Sequence, residues 1–186
     1  MTKIKLITDS GSDISIETAE KLNITMLPIS FTFDGETYYR EGMDMGKEEF
    51  YEKLSDKDAP VPKTAQVTPI QFIDAYNEAY DQGYDTLIVV PISSKGSGMY
   101  QNAVMSAQEV MDERGGEIIV IDTLGYSCFY GGAVIKAAKM LADGKRKDEI
   151  VSYITEATSS MKAYFLVDDL LHLKKGGRIN TATLVL

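Results

Sequence analysis

The sequence predicts an α/β protein built on a mainly parallel, doubly wound sheet, followed by the start of a second α/β domain. Three observations carry that prediction. Segments of strand and helix length alternate along most of the chain, a rhythm that gives parallel strands joined by right-handed crossovers. Two strand-length segments, 86–92 (TLIVVPI) and 117–121 (EIIVI), are almost wholly apolar, as strands covered on both faces are. Just before the first of them, Phe72, Ala75, Tyr76, Ala79 and Tyr80 recur at helical spacing.

Segment 3–8 opens the sheet. Its Ile4, Leu6 and Ile7 are followed at once by a polar turn, Asp9-Ser10-Gly11-Ser12-Asp13. A helix over 14–22 carries the chain back. Residues 24–33 read as one half-buried strand, because Ile29, Phe31 and Phe33 alternate with Ser30 and Thr32. Asp34-Gly35 make a turn, a short helix spans 47–54, and 55–63, with Pro60 and Pro62, reads as a loop.

Pro69 suits the first turn of the next helix. After the strand at 86–92, a helix over 98–114 closes at Gly115-Gly116, and Ser97 is placed to cap its start. The strand 117–121 ends at Asp122, and helices follow over 129–143 and 147–161. These complete a domain over 1–160. Residues 161–186 begin the second, with a strand at 163–167. Their ending, Thr181-Ala182-Thr183-Leu184-Val185-Leu186, has no cap, glycine or polar stop. The expectation is a chain cut before its fold is finished.

With 186 residues, 44% hydrophobic and 25% charged, the chain can bury a core and is not a disordered polypeptide. Nineteen basic against 28 acidic residues give a formal charge of -9. That argues against nucleic-acid and anionic-membrane partners, which both ask for a basic footprint. No segment approaches the ~18 apolar residues of a membrane span, and the first strand is no signal-peptide core. The expectation is a cytoplasmic protein without stable membrane insertion. Cys128 has no second cysteine to pair with and is expected as a small core or pocket residue.

In an open parallel sheet, ligands bind outside the carboxyl ends of the strands. Three strands end in hydroxyl- and glycine-rich sequence: Thr8 to Ser12, Ser93 to Gly98, and Asp122 to Ser127. The second is the most suggestive seat for a carboxylate or phosphate. Its glycines let a backbone come close to a ligand, and the helix that follows offers free N–H groups and the positive end of its dipole. The same serines are also ordinary capping chemistry, and the two roles are compatible.

Sharper motifs fail. Gly96-Ser97-Gly98-Met99-Tyr100-Gln101 lacks the third glycine of a dinucleotide fingerprint and follows a middle strand. There is no Walker A sequence, and Gly96-Ser97-Gly98 is not a nucleophile elbow. With His172 the only histidine, a serine triad is not expected, and one histidine with one cysteine cannot make a zinc site. Asp9 and Asp13, with Asp122, are the best enzymatic alternative, a Mg²⁺-dependent phosphohydrolase. Against it, Asp13 can cap the first helix and Asp9 can anchor a turn.

Four motifs in order resemble the DegV family: Thr8-Asp9-Ser10, then Lys63-Thr64-Ala65-Gln66, then Ile92 through Gln101, then Leu173-Lys174-Lys175-Gly176-Gly177-Arg178-Ile179. The chain departs at Ala65, where serine is usual, and at Met99, where threonine is. It also departs at Gly96, where a larger apolar residue is common and whose absence would loosen the pocket wall. The resemblance implies two α/β domains with a long-chain fatty acid, such as palmitate, in a tunnel between them and no cofactor. It implies that Thr64 and Ser97 hold the carboxylate, with Ser94 the close competitor. Arg178 would lie near the headgroup or a partner surface, and a histidine beyond residue 186, rather than His172, would complete the site. It further implies a non-catalytic carrier that presents the lipid to the ATP-binding subunit of a fatty acid kinase.

Overall fold

The computed structural model describes residues 3–56, 60–162, 166 and 174–177. Four parallel strands form the main sheet: β1 (Ile4–Asp9), β2 (Ile24–Leu27), β6 (Thr86–Val90) and β7 (Glu117–Val120), in the order β2-β1-β6-β7. A separate antiparallel sheet has the order β4-β3-β5, with β3 at Ser30–Thr32, β4 at Tyr39–Arg40 and β5 at Lys63–Ala65. The helices are α1 (Ile16–Lys21), α2 (Lys47–Ser55), α3 (Pro69–Asp81), α4 (Met99–Arg114), α5 (Cys128–Ala142) and α6 (Lys147–Ser160).

Successive strand residues point to opposite faces, and the core divides accordingly. Ile7, Leu87 and Val89 pack with Phe72 and Tyr76 of α3 and with Met99, Ala103 and Val110 of α4. Leu6, Ile88 and Val90 pack on the other face with Ala19 of α1, Tyr130 and Val134 of α5, and Ile150 and Ile154 of α6. The predicted doubly wound α/β layer is therefore observed. The chain leaves β1 toward β2 on one side and returns to β6 on the other. This puts the topological switch point between β1 and β6, which pair from Ile4↔Thr86 to Thr8↔Val90.

The predicted helix starting at Pro69 is present, with a capping box between Thr68 and Gln71. Gly115 and Gly116 both have positive φ after α4, which glycine adopts without steric cost.

Several expectations are corrected. Residues 24–33 are not one strand. Pro28 offers no N–H and restricts Leu27 before it, so the chain leaves the parallel sheet there and re-enters the antiparallel one at Ser30. The Ile29 N–H is taken instead by the Ser10 hydroxyl at 2.9 Å. The loop predicted over 55–63 ends in β5, whose Lys63–Ala65 pairs with β3. Ser97 is not the cap residue of α4: Gly98 occupies that position, without a side-chain cap bond. Asp13 does not cap α1 either, because Ser15 does so by accepting the Thr18 N–H. Cys128 is exposed at the start of α5 rather than buried. The predicted strand over 163–167 lies outside the described residues except for Leu166, and so do His172, Arg178 and the tail at 181–186.

Candidate functional site

The carboxyl ends of β1, β6 and β7 gather three loops at the switch point, and the small sheet brings a fourth segment to them. From β6 the chain runs Pro91 to Gly98. Ser93 is buried and shapes this loop: its carbonyl accepts the N–H groups of Gly96 and Ser97 at 3.1 and 3.2 Å, and its hydroxyl accepts that of Lys95 at 3.2 Å. Ser94 and Ser97 are half-buried. The Ser97 hydroxyl accepts the Met99 N–H at 3.2 Å. It thus satisfies one orphan donor at the start of α4 from one residue before the cap.

The β7 loop is tied to the β6 loop at three points. The Asp122 carboxylate accepts the Ser94 N–H at 3.1 Å, Ser93 N–H donates to the Gly125 carbonyl at 3.1 Å, and the Thr123 hydroxyl donates to the Pro91 carbonyl at 3.0 Å. At two points of the β6 loop the protein's own side chains approach a glycine so closely that an added methyl group would displace them. A Cβ on Gly96 would lie 2.6 Å from Cε1 of Tyr126, and one on Gly98 would lie 2.8 Å from Oε1 of Gln66. The Tyr126 ring therefore fills the space beside residue 96, and the pocket wall is not loose there.

Gln66 belongs to the segment that carries Thr64. Thr64 sits on β5 opposite Phe31 and is exposed. The segment is held beside α4 by Gln66 against Gly98 and by Asn102, whose amide donates to the Val67 carbonyl at 2.9 Å. The structure thus brings the Thr64 segment to the loop bearing Ser94 and Ser97. Gln66 and Tyr126 fall within segments that the sequence singles out, but nothing in it assigns them these contacts, and Tyr130 carries no signal of its own. The closely spaced pair Gly96 and Gly98 hints at a crowded loop, but it does not name the side chains that press on it.

The three aspartates of the enzymatic alternative are engaged in holding turns. Asp9 is 1% exposed. Its Oδ1 accepts the Tyr130 hydroxyl at 2.7 Å and the Gly11 N–H at 3.0 Å, and its Oδ2 accepts the Ile92 N–H at 2.8 Å. Burial pushes its carboxyl up to about 6, against the pull of those three hydrogen bonds, and the nearby Glu41 charge adds to the rise. The Tyr130 phenol is held far above its ordinary value by burial and then by the Asp9 charge, so it remains a donor. Asp13 accepts a hydrogen bond from the Ser127 hydroxyl, and these two have φ of 56° and 58°, in the region that favours glycine. Asp122 accepts the N–H groups of Ser94 and Leu124. Among the described residues, no three His, Cys, Asp or Glu side chains group so as to hold a metal ion.

A cavity of about 20 Å³ lies beside the β7 loop, lined by Thr123, Phe129, Tyr130 and Met161 among others. It has room for a water-sized group and not for an acyl chain. No helix among the described residues is long and apolar enough to cross a membrane.

The DegV family model, described as "Uncharacterised protein, DegV family", matches residues 3–186. The chain belongs to the DegV family. A DegV domain-containing protein of Listeria innocua is 36% identical over 181 residues, which are 97% of this chain and 62% of that protein. A DegV family protein from Thermus thermophilus, described as fatty-acid binding, matches with a TM-score of 0.86 at 30% identity, over 100% of this chain and 64% of its own. A stearic acid-binding protein from Eubacterium ventriosum matches with a TM-score of 0.73 at 31% identity, over 83% of this chain and 52% of its own. The chain thus spans about 62% of the length of the curated DegV relatives it matches.

Proposed function

We propose that this DegV chain binds a long-chain fatty acid such as palmitate, with its carboxylate at the switch-point loops. The observation that carries the reading is the coincidence of two things. The fold matches a fatty-acid-binding DegV structure over the full length of this chain, and the loop that carries the half-buried Ser94 and Ser97 lies against Gln66 of the Thr64 segment at Gly98, where an open α/β sheet receives ligands. Thr64 and Ser97 are the proposed carboxylate ligands, with Ser94 the competitor. Neutral hydroxyls orient a carboxylate without locking it in a tight ion pair, which leaves an oxygen able to accept phosphate.

Beyond the head site, the proposal extends to the full length of the DegV relatives. Residues 1–160 form the first domain and 161–186 begin the second, and the acyl chain occupies a tunnel between the two. Arg178 lies at the headgroup or at the surface that meets the ATP-binding subunit of a fatty acid kinase. The carrier is cytoplasmic, non-catalytic and free of cofactor. Engagement of Asp9, Asp13 and Asp122 in turn-holding bonds favours this reading over the phosphohydrolase.

The test is to denature the purified protein and measure free fatty acids by mass spectrometry. A stoichiometric C16–C18 acid supports the assignment. Absence of lipid, together with failure to take up added palmitate, overturns it.

A further inference from the structure

The Asp9 carboxylate is costly where it stands. A buried charge lowers stability unless it is fully bonded, and the groups around this one include a second acid, Glu41, on the segment after β4. Glu41 is itself held near by the Ser10 hydroxyl, which donates to it at 2.6 Å. From α5 comes the Tyr130 phenol, on which the charge of Asp13 also acts. From the turn after β1 comes the Gly11 N–H, and from the end of β6 comes the Ile92 N–H. Space is closed as well: a Cβ on Gly11 would lie 2.9 Å from the Asp9 carboxylate and 3.1 Å from the Tyr130 hydroxyl. One carboxylate therefore joins both strands of the switch point to the helix behind them.

The bond to Ile92 matters most for the site. Ile92 is the residue immediately before Ser93, whose own hydrogen bonds shape the loop that presents Ser94 and Ser97. We propose that Asp9 is a positioning residue of the head site: its negative charge tethers the 91–98 loop through the Ile92 N–H, and its protonation loosens that loop and weakens ligand binding. This rests on the fatty-acid reading above.

The proton chemistry gives the sign. As a carboxylate, Asp9 is acceptor-only and matches three donors. A proton on Oδ2 sets a donor against the Ile92 N–H. A proton on Oδ1 can be given to Tyr130 if that hydroxyl turns to accept, but the bond to Ile92 then falls from charge-assisted to neutral, roughly half as strong. Both placements weaken the tether. Burial puts the change near neutrality, at about 6.

Asp9→Asn mimics the protonated form. Palmitate affinity is measured by calorimetry for both proteins at pH 8 and pH 5. The ligand's own carboxyl titrates in both experiments, so the ratio of affinities isolates Asp9. The wild type is expected to bind roughly fivefold more tightly than Asp9→Asn at pH 8, and the ratio to approach one at pH 5. A ratio that is the same at both pH values, or close to one at pH 8, overturns the proposal.

Should Asp9→Asn fail to fold, the Ile92 amide resonance is followed by NMR against pH without ligand. Its midpoint is expected near 6 in the wild type and higher in Tyr130→Phe, which removes a donor to the charged form. An Ile92 amide that does not titrate there, or whose midpoint stays put in Tyr130→Phe, overturns the tether. If the wild type binds no palmitate at either pH, the fatty-acid reading fails, while the NMR titration still decides the tether.

Discussion

The ring of Tyr126 lies over Gly96 so closely that a methyl group on Gly96 would sit 2.7 Å from the tyrosine hydroxyl. The β6 and β7 loops are therefore matched to each other in shape, and the match depends on a residue with no side chain. Gly96→Ala should force the ring aside and disturb the neighbouring serines. The expected outcome is weaker fatty-acid binding, with a smaller loss of stability than a clash against backbone would cause, since a side chain rather than backbone must shift. Pairing Gly96→Ala with Tyr126→Ala should restore part of the loss, and a double-mutant cycle on palmitate affinity measures that coupling.

Gly131 faces a harder limit. A Cβ there would run into the carbonyl oxygen of Ser12, a backbone atom in the turn after β1. Backbone cannot swing away, so α5 and the turn must separate. Gly131→Ala should destabilise the fold by about 1–3 kcal/mol, as overpacking does, read as a lower urea midpoint. At Gly132, one residue on, an added methyl group would meet nothing within 4 Å. Gly132→Ala should be neutral or slightly stabilising, since alanine favours a helix interior.

Asp9 also leaves a signature in stability. Its carboxyl is raised from the ordinary value of 3.8 to about 6 in the folded chain, so between those pH values the folded state binds more protons than the unfolded one. The contribution of this residue is therefore greatest below about pH 4, falls as pH rises toward 6, and is level above that. The span is on the order of 3 kcal/mol. Urea melts of wild type and Asp9→Asn across pH 4–7 should show the wild type losing ground to the variant as pH rises. A gap that is constant or grows the other way contradicts the raised value.

The proposed head hydroxyls are separable by substitution. Thr64→Ala and Ser97→Ala should each remove a hydrogen bond to a charged group, costing about 1.5–3 kcal/mol, or roughly ten- to a hundredfold in palmitate affinity. Ser94→Ala is the decisive comparison, because the Ser94 N–H, not its side chain, carries the tie to Asp122. A large loss at Ser94 with none at Ser97 exchanges their roles.

The parallel sheet is legible in the sequence because Thr86–Val90 and Glu117–Val120 are apolar runs whose signal is local. The small sheet is not. Its strands are two or three residues long, too short for alternation to register, and β3 finds β5 only across the whole segment that carries β4 and α2. Pro28 marks the break within 24–33, yet the alternation of Ile29, Phe31 and Phe33 is the stronger pattern and hides it. At the site, the serines and the turn-anchoring Asp9 are readable as residue types. That Asp9 also reaches Ile92, and that Tyr126 and Gln66 press on two glycines, depends on contacts between distant segments. Composition does not encode those contacts. Cys128 departs from the common burial of cysteine because it lies at the exposed start of α5.

Thr64 lies on the small sheet, whereas Ser94 and Ser97 lie on the loop that leaves β6 of the main sheet. β5 is held to its neighbour by three residue pairs, while β6 lies between two partners in the middle of the main sheet. Small edge units open at lower free energy than a central strand. The threonine side of the proposed site is therefore expected to come away while the serine side stays folded, so release of the proposed fatty acid need not wait for global unfolding. Amide exchange should be faster at 63–65 than at 86–90, and a bound fatty acid should slow the first far more than the second. The lifetime of the complex would then be governed by the breathing of one short strand.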